Sequence, residues 1–381
     1  MIPAPPAPSY GAESLAAVLP AVGAALGVAG CRPGAHGLTF PEAARAVVLL
    51  VDGMGDEVLS ARSGHAPTLR NWTDTGARGG LLAGFPTTTA TSMGSFGTGA
   101  PPGTHGLVGY EVLDPERDAL LNELAWDAAV DPRRWQPHPT VLQQVAADGV
   151  DVVRVAPPHF DGSGLTEAAL RGGRFVGTPE RLEARVDATA AAIRASPRSL
   201  VYVYWGTLDH VGHVEGVGSW QWGEELGRVD AAVAALRRRL PKGTLLVVTA
   251  DHGMVDVPAA GRLDLGHEPE LRVGVRHAAG EPRMFQLYTE PGAAQTVCET
   301  WSRRVGEQAY VVTRDDAIAA GWFGPVEDRV RGRIGDVLVV AAGEFAVVDS
   351  SRMRPESLRL VGQHGALSDA ERRIPLFSTL L

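Results

Sequence analysis

The sequence predicts an α/β fold with a largely parallel sheet, and three observations support that prediction. Short apolar runs rich in β-branched residues recur along the chain, and each has the length of a strand. Longer helix-like stretches lie between these runs, which is the order expected when helices cross over between parallel strands. Apolar residues make up 45% of the 381 residues, enough for a large buried core.

The predicted elements divide the chain into a core and a cap. The strands are predicted at residues 46–51, 150–155, 200–205, 245–249 and 337–341, and the helices at residues 14–27, 139–147, 179–195 and 223–239. Residues 266–332 carry more charges and turns, and we interpret them as a small α+β cap inserted into a core of residues 1–265 and 333–381. The predicted cap elements are residues 284–288, 293–306 and 309–313, after which residues 337–348 return the chain to the core.

Net charge and cysteine content limit the classes of function. A formal charge of -9, from 35 basic and 44 acidic residues, argues against a DNA or RNA binder, whose affinity depends on a basic face. Two cysteines argue against a disulfide framework and fit a reducing compartment. The apolar residues 14–27 follow a segment without Lys or Arg, unlike a signal peptide, and are too short to cross a membrane. We therefore expect a cytoplasmic monomer that is not bound to a membrane.

Carboxylates and imidazoles follow the predicted strands at the points where ligands bind in parallel sheets. Asp52 follows the first strand, Asp209 and His213 follow the third, Asp251 and His252 follow the fourth, and His364 lies near the C-terminus. Each motif alone is more typical of a capped turn or a loop histidine. Together, and in this order, they predict one cluster of metal ligands at a single edge of the sheet.

The spacing of these residues is compatible with metal binding. Asp209 and His213 are four residues apart, which places both on one face of a helical turn. Asp251 and His252 are adjacent, so they can share a site only if the strand ends there, and Gly253 permits such a turn. Three carboxylates and three imidazoles suit two divalent ions, zinc or manganese, without distinguishing them.

A hydroxyl nucleophile is available between the first two motifs. Two metals about 3.5–4 Å apart can activate an attacking oxygen and stabilise a leaving one, which is the chemistry of phosphoryl transfer. The sequence FPTTTATSMGSFGTG offers Thr87, Thr88, Thr89, Thr91 and Ser92, and the residues alone leave the choice open. A hydroxyl at a helix start is favoured, because free N–H groups there bind phosphate.

The ordered set resembles the alkaline phosphatase superfamily, and within it the nucleotide pyrophosphatase/phosphodiesterase group. The likeness extends from Asp52 to His364 and includes the P-T-x-T motif at residues 86–89, the T-G pair at residues 98–99 and the H-G pair at residues 105–106. This resemblance implies an alkaline-phosphatase-like core and a covalent phosphothreonine intermediate on Thr89. It also implies the metal grouping: Asp52, Asp251, His252 and the Thr89 oxygen for one ion, and Asp209, His213 and His364 for the other.

The chain also resembles the actinobacterial cyclic di-AMP phosphodiesterases of this group. One departure from the wider group is Tyr110, which stands where an asparagine holds a phosphate oxygen. Trp126, Trp135 and Phe160 lie in segments that share the closer likeness, and we expect them to contact the adenine bases by stacking.

The expected function is metal-dependent hydrolysis of a nucleotide phosphodiester. Cyclic di-AMP is the leading substrate, with linear pApA and then AMP as products. One alternative is a general nucleotide pyrophosphatase or a phosphonoacetate-type hydrolase on the same core. Another, of a different class, is a nucleotide sensor without catalysis, although a sensor does not need Thr89.

Overall fold

The computed structural model of the chain describes residues 3–11, 13–31, 34, 37–74 and 78–381. In that part of the chain the strands are β1 Arg45–Val51, β2 Arg78–Leu82, β3 Glu111–Asp114, β4 Ala119–Asn122, β5 Asp151–Ala156, β6 Arg174–Gly177, β7 Ser199–Trp205, β8 Thr244–Thr249, β9 Val255–Asp256, β10 Arg262–Asp264, β11 Val275–Glu281, β12 Met284–Thr289, β13 Ala309–Thr313, β14 Val337–Ala341, β15 Ala346–Val348, β16 Gly362–Gln363 and β17 Arg373–Leu380.

The α-helices of the same residues are α1 Val18–Ala25, α2 Asp56–Ala61, α3 Pro67–Asp74, α4 Thr89–Thr98, α5 Pro102–His105, α6 Pro132–Trp135, α7 Val141–Ala147, α8 Gly164–Ala169, α9 Leu182–Ala195, α10 Thr207–Glu215, α11 Trp220–Arg239, α12 Ala294–Val305, α13 Arg314–Ala319, α14 Asp328–Arg331 and α15 Asp369–Arg372. Short 3-10 helices lie at Leu15–Ala17, Ser63–His65, Pro158–Phe160, Ala259–Gly261, Leu265–His267, Pro269–Arg272, Gly306–Gln308 and Ser357–Arg359.

The main sheet has the strand order β2-β17-β8-β1-β7-β5-β6. Strands β8, β1, β7, β5 and β6 run parallel, whereas β17 is antiparallel to both β8 and β2. Helices flank the sheet: α9 packs on β7, β5 and β1, and α7 packs on β5 and on α4. The predicted mixed α/β fold with a mostly parallel central sheet is confirmed.

Most of the predicted core elements are present. The strands predicted at 46–51, 150–155, 200–205 and 245–249 correspond to β1, β5, β7 and β8, and the helices at 139–147, 179–195 and 223–239 correspond to α7, α9 and α11. β8 is buried along its whole length, as expected for a strand that is covered on both faces. The helix predicted at 14–27 is a 3-10 turn that leads into α1.

The register of the main sheet places three strand ends at one level. Val51 of β1 pairs with Trp205 of β7, and Leu50 of β1 pairs with Thr249 of β8. The chain therefore leaves all three strands at the same edge, where Asp52, α10 and Asp251 follow. This is the position beyond the carboxyl ends of parallel strands at which α/β proteins bind ligands.

A second sheet is antiparallel and has the order β11-β12-β14-β13. It contains two predicted cap strands as β12 and β13, and α12 packs on β13 and β14. The prediction that residues 337–341 return the chain to the core sheet is wrong, because β14 pairs with β12 and β13. Every residue of β14 is buried, so its apolar run suits either sheet equally well. The division into core and cap stays a proposal, with β14 on the cap side.

A buried ion pair connects the second sheet to the loop that carries His364. Arg283, next to β12, donates from Nε and Nη2 to the two carboxylate oxygens of Glu371, each at 2.8 Å. Glu371 also accepts the backbone N–H of Ala366 at 2.9 Å. Removing one partner of such a fully buried pair leaves an uncompensated charge, which is strongly destabilising. The pair therefore holds the loop of residues 364–366 in place.

None of the helices in the described ranges is long and apolar enough to cross a lipid bilayer. Cys31 and Cys298 are both free thiols, the first buried and the second partly buried. Burial raises the pKa of each thiol, so neither is arranged as a thiolate nucleophile.

Candidate metal centre

Two groups of metal-ligating side chains lie at the carboxyl edge of the main sheet. Within each group, one ligand atom from every residue lies within 4.8 Å of the others. The groups are Asp52, Asp251 and His252, and Asp209, His213 and His364. The structure thus brings together all six side chains that the sequence predicted as ligands.

The turn after β1 allows the two groups to meet. Gly53 has a φ of 70°, and its N–H donates to Oδ1 of Asp251 at 3.1 Å. A Cβ atom on Gly53 would lie 2.9 Å from Oδ1 of Asp209. Both the positive φ and this close approach require glycine. Asp52, Asp209 and Asp251 can therefore converge on one side of the turn.

Local structure orients the paired ligands as the spacing predicted. Asp209 and His213 lie one turn apart in α10, and their side chains are 3.4 Å apart at the closest approach of Nε2 and Oδ2. β8 ends at Thr249, so Asp251 and His252 are not held in strand alternation. Both belong to the same group of ligands.

Each of the three histidines uses Nδ1 to bond a backbone carbonyl. The distances are 3.0 Å for His252 to Gly253, 2.7 Å for His213 to Gly362, and 2.8 Å for His364 to Thr87. Because a carbonyl only accepts, Nδ1 carries the proton in a neutral ring and Nε2 presents a lone pair. This is the tautomer that binds a metal through Nε2 while the other nitrogen fixes the ring.

Several acceptor atoms in the two groups lie close together or lack a donor among the described residues. Nε2 of His213 lies 3.2 Å from Nε2 of His364. One carboxylate oxygen each of Asp52, Asp209 and Asp251 is buried and has no hydrogen-bond partner among the described residues. Unsatisfied buried acceptors are costly. Cations among these atoms would satisfy them, and the nitrogen and oxygen donors fit divalent ions.

Burial and mutual repulsion shift the pKa values of several groups in this cluster. Burial raises the pKa of Asp52 well above its ordinary value, and the charges of Asp251 and Asp209 raise it further. Burial raises the pKa of Asp251 to about 7, again with a contribution from Asp209. Burial lowers the pKa of His364 well below its ordinary value, and His252 and His213 act in the same direction. The site therefore gathers buried carboxyl groups and neutral imidazoles, an environment that favours bound cations.

Thr89 lies against the first group of ligands. It is the first residue of the 10-residue helix α4. Its hydroxyl lies 3.4 Å from Oδ2 of Asp52 and 3.3 Å from Nε2 of His252. The first turn of a helix leaves backbone N–H groups free, and these bind phosphate.

Two other hydroxyls of the threonine run have structural contacts. Thr87 donates to the carbonyl of Ala366 at 2.8 Å, and Ser92 donates to the carbonyl of Asp251 at 2.8 Å. Among the described hydroxyls of this run, Thr89 alone has a hydrogen bond to a predicted ligand side chain. The structure therefore favours the residue that the family motif selects.

A cavity of about 420 Å³ opens beside Thr89. Asp52, Thr89 and Asp209 line it together with Phe160, Phe175, Leu165 and Leu170 from the β5–β6 region. Arg154 and the tyrosines Tyr202 and Tyr204 belong to the polar part of its wall. A volume of this size is within the usual range for small-molecule sites.

The sequence profile of the type I phosphodiesterase / nucleotide pyrophosphatase family matches residues 46–367, which is most of the chain. The chain belongs to this family. The resemblance to the nucleotide pyrophosphatase/phosphodiesterase group of the alkaline phosphatase superfamily is thereby confirmed. Members of this superfamily use divalent metal ions, and members of the family hydrolyse phosphate esters.

Solved structures share the fold of this phosphodiesterase-family chain. Mouse ectonucleotide pyrophosphatase/phosphodiesterase 5 is 17% identical with a TM-score of 0.69, and the match covers 87% of both chains. Phosphonoacetate hydrolase from Sinorhizobium meliloti 1021, in complex with phosphonoformate, is 19% identical with a TM-score of 0.69, over 89% of this chain and 91% of the hydrolase. At these identities the likeness establishes the fold alone.

Curated relatives by sequence are phosphopentomutases. The protein from Anaeromyxobacter sp. (strain K) is 34% identical over 171 residues, which is 44% of this chain and 41% of the mutase. A second, from Anaeromyxobacter dehalogenans (strain 2CP-C), is 34% identical over 120 residues, which is 31% of this chain and 28% of the mutase. The chain thus spans less than half the length of these relatives.

Of the four residues predicted to bind the nucleotide, Phe160 alone lies among the described residues that line the cavity. Its ring is 5.5 Å from that of Tyr204. Tyr110 is 40% exposed and lines a different cavity. Its backbone N–H donates to Glu281. The structure therefore does not bring Tyr110 to the cavity beside Thr89.

The two tryptophans have packing roles in the structure. Trp135 is buried, its indole N–H donates to Glu123 at 2.7 Å, and Arg333 stacks over its ring. The indole N–H of Trp126 donates to the carbonyl of Val130 at 2.9 Å. Arg333 thus covers a face of the Trp135 ring, and neither tryptophan is among the described residues that line the cavity beside Thr89. We therefore propose a base contact only for Phe160.

Tyr204 and Arg154 are site residues that the sequence reasoning missed. Tyr204 donates a short hydrogen bond to Oδ2 of Asp52, the oxygen that also faces Thr89. Its position at the penultimate residue of β7, beside the ligand edge, was the only available signal. Arg154 lies within β5 and lines the cavity.

His105 of the H-G motif supports helix α4 rather than the metal site. The ring is fully buried, with Nε2 3.0 Å from the Ser95 hydroxyl, and Nδ1 accepts the N–H of Leu107 at 3.1 Å. Burial lowers the pKa of His105 to about 3, and nearby Arg329 contributes in the same direction. The ring is therefore neutral in the folded protein at neutral pH.

We expect His105→Gln to weaken the dependence of the free energy of unfolding on pH below neutrality. Between pH 6.5 and 4.5 the unfolded chain binds a proton on His105 that the folded chain does not, so wild-type stability falls as pH falls. The wild type should lose about 2–3 kcal/mol more than the variant across this interval. Urea unfolding of the metal-free proteins measures the difference, with exposed His267→Gln as control. Equal pH slopes for wild type and His105→Gln would contradict the assignment.

Proposed function

We propose that the chain is a metal-dependent phosphodiesterase that hydrolyses a small nucleotide through attack by Thr89. The observation that carries this proposal is the position of the Thr89 hydroxyl. It lies 3.4 Å from Asp52 and 3.3 Å from Nε2 of His252, at a helix start, and faces a cavity large enough for a nucleotide.

The six convergent side chains would hold two divalent ions. Asp52, Asp251, His252 and the Thr89 oxygen would bind one, and Asp209, His213 and His364 the other. When bound, such ions favour the alkoxide form of a hydroxyl and stabilise the charge that develops on a leaving oxygen. Zinc and manganese both suit this set of nitrogen and oxygen donors.

The reaction that the chain's residues support proceeds in two displacements. The Thr89 oxygen attacks phosphorus, the bond to the leaving 3′-oxygen breaks, and that oxygen takes up a proton. The result is a phosphothreonine at the start of α4, where free backbone N–H groups hold the phosphate oxygens. Water then attacks the same phosphorus, and the Thr89 oxygen leaves and is reprotonated.

Cyclic di-AMP is the proposed substrate, with pApA and then AMP as products. Support comes from the resemblance of the sequence to cyclic di-AMP phosphodiesterases and from family membership. A structure of the mouse relative, in an inactive variant with one threonine replaced by alanine, contains AMP. A nucleotide monophosphate and an essential threonine in that protein are consistent with the site described here.

The test is a product profile with metal-stripped protein that has been reloaded with zinc or manganese. Cyclic di-AMP, pApA, ATP and phosphonoacetate are supplied separately, and products are identified by mass spectrometry. We expect the highest kcat/KM for cyclic di-AMP, with pApA appearing before AMP. A higher kcat/KM for ATP would indicate a general pyrophosphatase. Absence of turnover with all four substrates would contradict the proposed enzyme.

A phosphonoacetate-type hydrolase is the second candidate function. The observation that favours it is the shared fold of the Sinorhizobium enzyme, including its complex with phosphonoacetate. The apolar and aromatic wall of the cavity argues for a larger substrate with a base.

A cytoplasmic location is a further part of the proposal, since free Cys31 and Cys298 fit a reducing compartment. A monomeric state is also part of the proposal.

A further inference from the structure

Arg154 is a buried cation in the cavity beside Thr89, and two of its donor atoms lack a hydrogen-bond partner among the described residues. Its side chain lies in β5, opposite Phe175 of β6 and Tyr202 of β7, and all three line the cavity. The residue is 7% exposed. Its Nε and Nη1 atoms are buried, and neither has a hydrogen-bond partner among the described residues. No other arginine or lysine in the described ranges lines this cavity.

The surroundings of Arg154 do not provide the missing acceptors. The guanidinium lies 5.5 Å from the centre of the Phe175 ring, which is an attractive contact but leaves the N–H groups unsatisfied. The Tyr202 hydroxyl is directed to the sulfur of Met93 at 3.5 Å. Burial lowers the pKa of Arg154, while the charges of Glu167 and Asp161 raise it, and an arginine stays protonated at neutral pH.

Arg171 shows what a buried structural arginine looks like in the same region. It is also 7% exposed, but it donates to the carbonyls of Glu167 at 3.0 Å and Ala168 at 2.7 Å and to that of His138. The Arg171 guanidinium thus donates its hydrogen bonds to backbone carbonyls and has a structural role. A buried arginine that leaves its donors unused costs stability, which points to a ligand as the missing partner.

We propose that Arg154 binds a second anionic group of the substrate, while the scissile phosphate lies at Thr89. This inference rests on the proposed function and deepens it, because it assigns the substrate two negative groups at once. A guanidinium presents a planar set of donors that matches phosphate or carboxylate oxygens. In a cyclic dinucleotide the second group is the phosphodiester that is not cleaved, and in a phosphonoacetate-type substrate it is the carboxylate.

The test compares substrates with and without a second anion. Arg154→Met, Arg154→Lys and wild type are assayed with cyclic di-AMP, with phosphonoacetate, and with bis(p-nitrophenyl) phosphate, which carries a single phosphodiester. For Arg154→Met, the ratio of kcat/KM for the preferred two-anion substrate to that for bis(p-nitrophenyl) phosphate should fall about 10- to 100-fold, the usual range for a lost charged hydrogen bond. Arg154→Lys should recover part of this ratio.

The substrate whose kcat/KM falls in Arg154→Met identifies the chemical nature of the anion that Arg154 binds. Selective loss with cyclic di-AMP assigns a phosphate, and selective loss with phosphonoacetate assigns a carboxylate. A ratio that is unchanged, or that falls equally in Arg171→Met, would overturn the assignment. Thermal unfolding of each variant shows whether it is folded, and Arg171→Met is expected to lose stability without a change in the ratio.

Failure of this inference can be told apart from failure of the proposed function. Thr89→Ala should abolish turnover of every substrate in the panel, whatever the role of Arg154. If Thr89→Ala is inactive and the Arg154 ratio is constant, the phosphodiesterase proposal stands and the second-anion site is wrong. If Thr89→Ala turns over these substrates at a rate close to that of the wild type, the proposed function itself is wrong.

Discussion

Replacement of Thr89 by alanine is expected to reduce kcat for the preferred nucleotide about 1000-fold or more, the scale seen when a catalytic nucleophile is removed. The hydroxyl is within 3.4 Å of Asp52 and within 3.3 Å of His252, and no other described hydroxyl of the run occupies that position. Thr89→Ser keeps the oxygen and should retain measurable turnover. Steady-state kinetics with metal-loaded protein provide the measurement.

Two further measurements separate nucleophilic catalysis from a structural role of Thr89. Thr98→Ala alters the last residue of the same helix, whose hydroxyl donates to Gly94, and should leave kcat close to that of the wild type. Acid quenching during turnover should trap phosphate on Thr89, which peptide mass spectrometry can locate. Wild-type-like turnover by Thr89→Ala, or covalent phosphate on another residue, would show that the nucleophile is misassigned.

The metal-ligand candidates could be predicted from the sequence because the signal is local. Asp52 and Asp251 each follow a buried strand within two residues, and parallel strands bring their carboxyl ends to one edge. His364 follows the two-residue strand β16, which pairs with β9 outside the main sheet, and its position also depends on the loop fixed by Glu371 and Arg283. His364 was predicted as a ligand only in combination with the other motifs, and the structure places its Nε2 3.2 Å from that of His213.

The features that the sequence did not reveal depend on long-range contacts. β17 contains Pro375, which argues against a strand inside a sheet, yet it pairs with both β2 and β8. β14 has an apolar run that suits either sheet, and its partners decide the outcome. In the sequence Arg154 is an ordinary charged residue of a strand. The fold buries it beside Phe175, with no acceptor for its Nε and Nη1 atoms among the described residues.

Aromatic residues were the least reliable indicators of the nucleotide site for a physical reason. Trp135 and Phe160 have the same stacking capacity, and the sequence does not say which ring faces solvent and which faces the core. The structure gives Trp135 a buried carboxylate partner, Glu123, and places Phe160 on the cavity wall. Burial, which is a property of the whole fold, separates the two.

The metal-free protein carries a stability cost at its own candidate site. Three carboxylates converge, each with a buried oxygen that lacks a partner among the described residues, and the raised pKa values of Asp52 and Asp251 reflect the cost of ionising them there. Sites built for a ligand are often destabilised without it. A cation contributes stability by neutralising this charge, so binding and folding are thermodynamically linked.

Replacement of Asp52 by asparagine is therefore expected to change metal binding and metal-free stability in opposite directions. Native mass spectrometry should show two divalent ions per wild-type chain and a loss of the ion held by Asp52, Asp251 and His252 in the variant, with turnover reduced about 1000-fold. In chelator at neutral pH, the variant should be more stable than the wild type by on the order of 1–2 kcal/mol, because it removes a buried carboxyl group whose pKa the fold raises well above its ordinary value. Urea unfolding with and without metal measures both effects.

Asp230→Asn is the matched control for a buried carboxylate with satisfied oxygens. Asp230 accepts the N–H groups of Thr68 at 3.1 Å and Leu69 at 2.9 Å, away from the candidate site. Its replacement should lower stability with or without metal and keep both ions, because an amide nitrogen cannot accept those hydrogen bonds. If Asp52→Asn also destabilised the metal-free chain, the clustered carboxylates would not be a source of electrostatic cost. The cluster would then be better explained as part of the structural core than as a pair of cation sites.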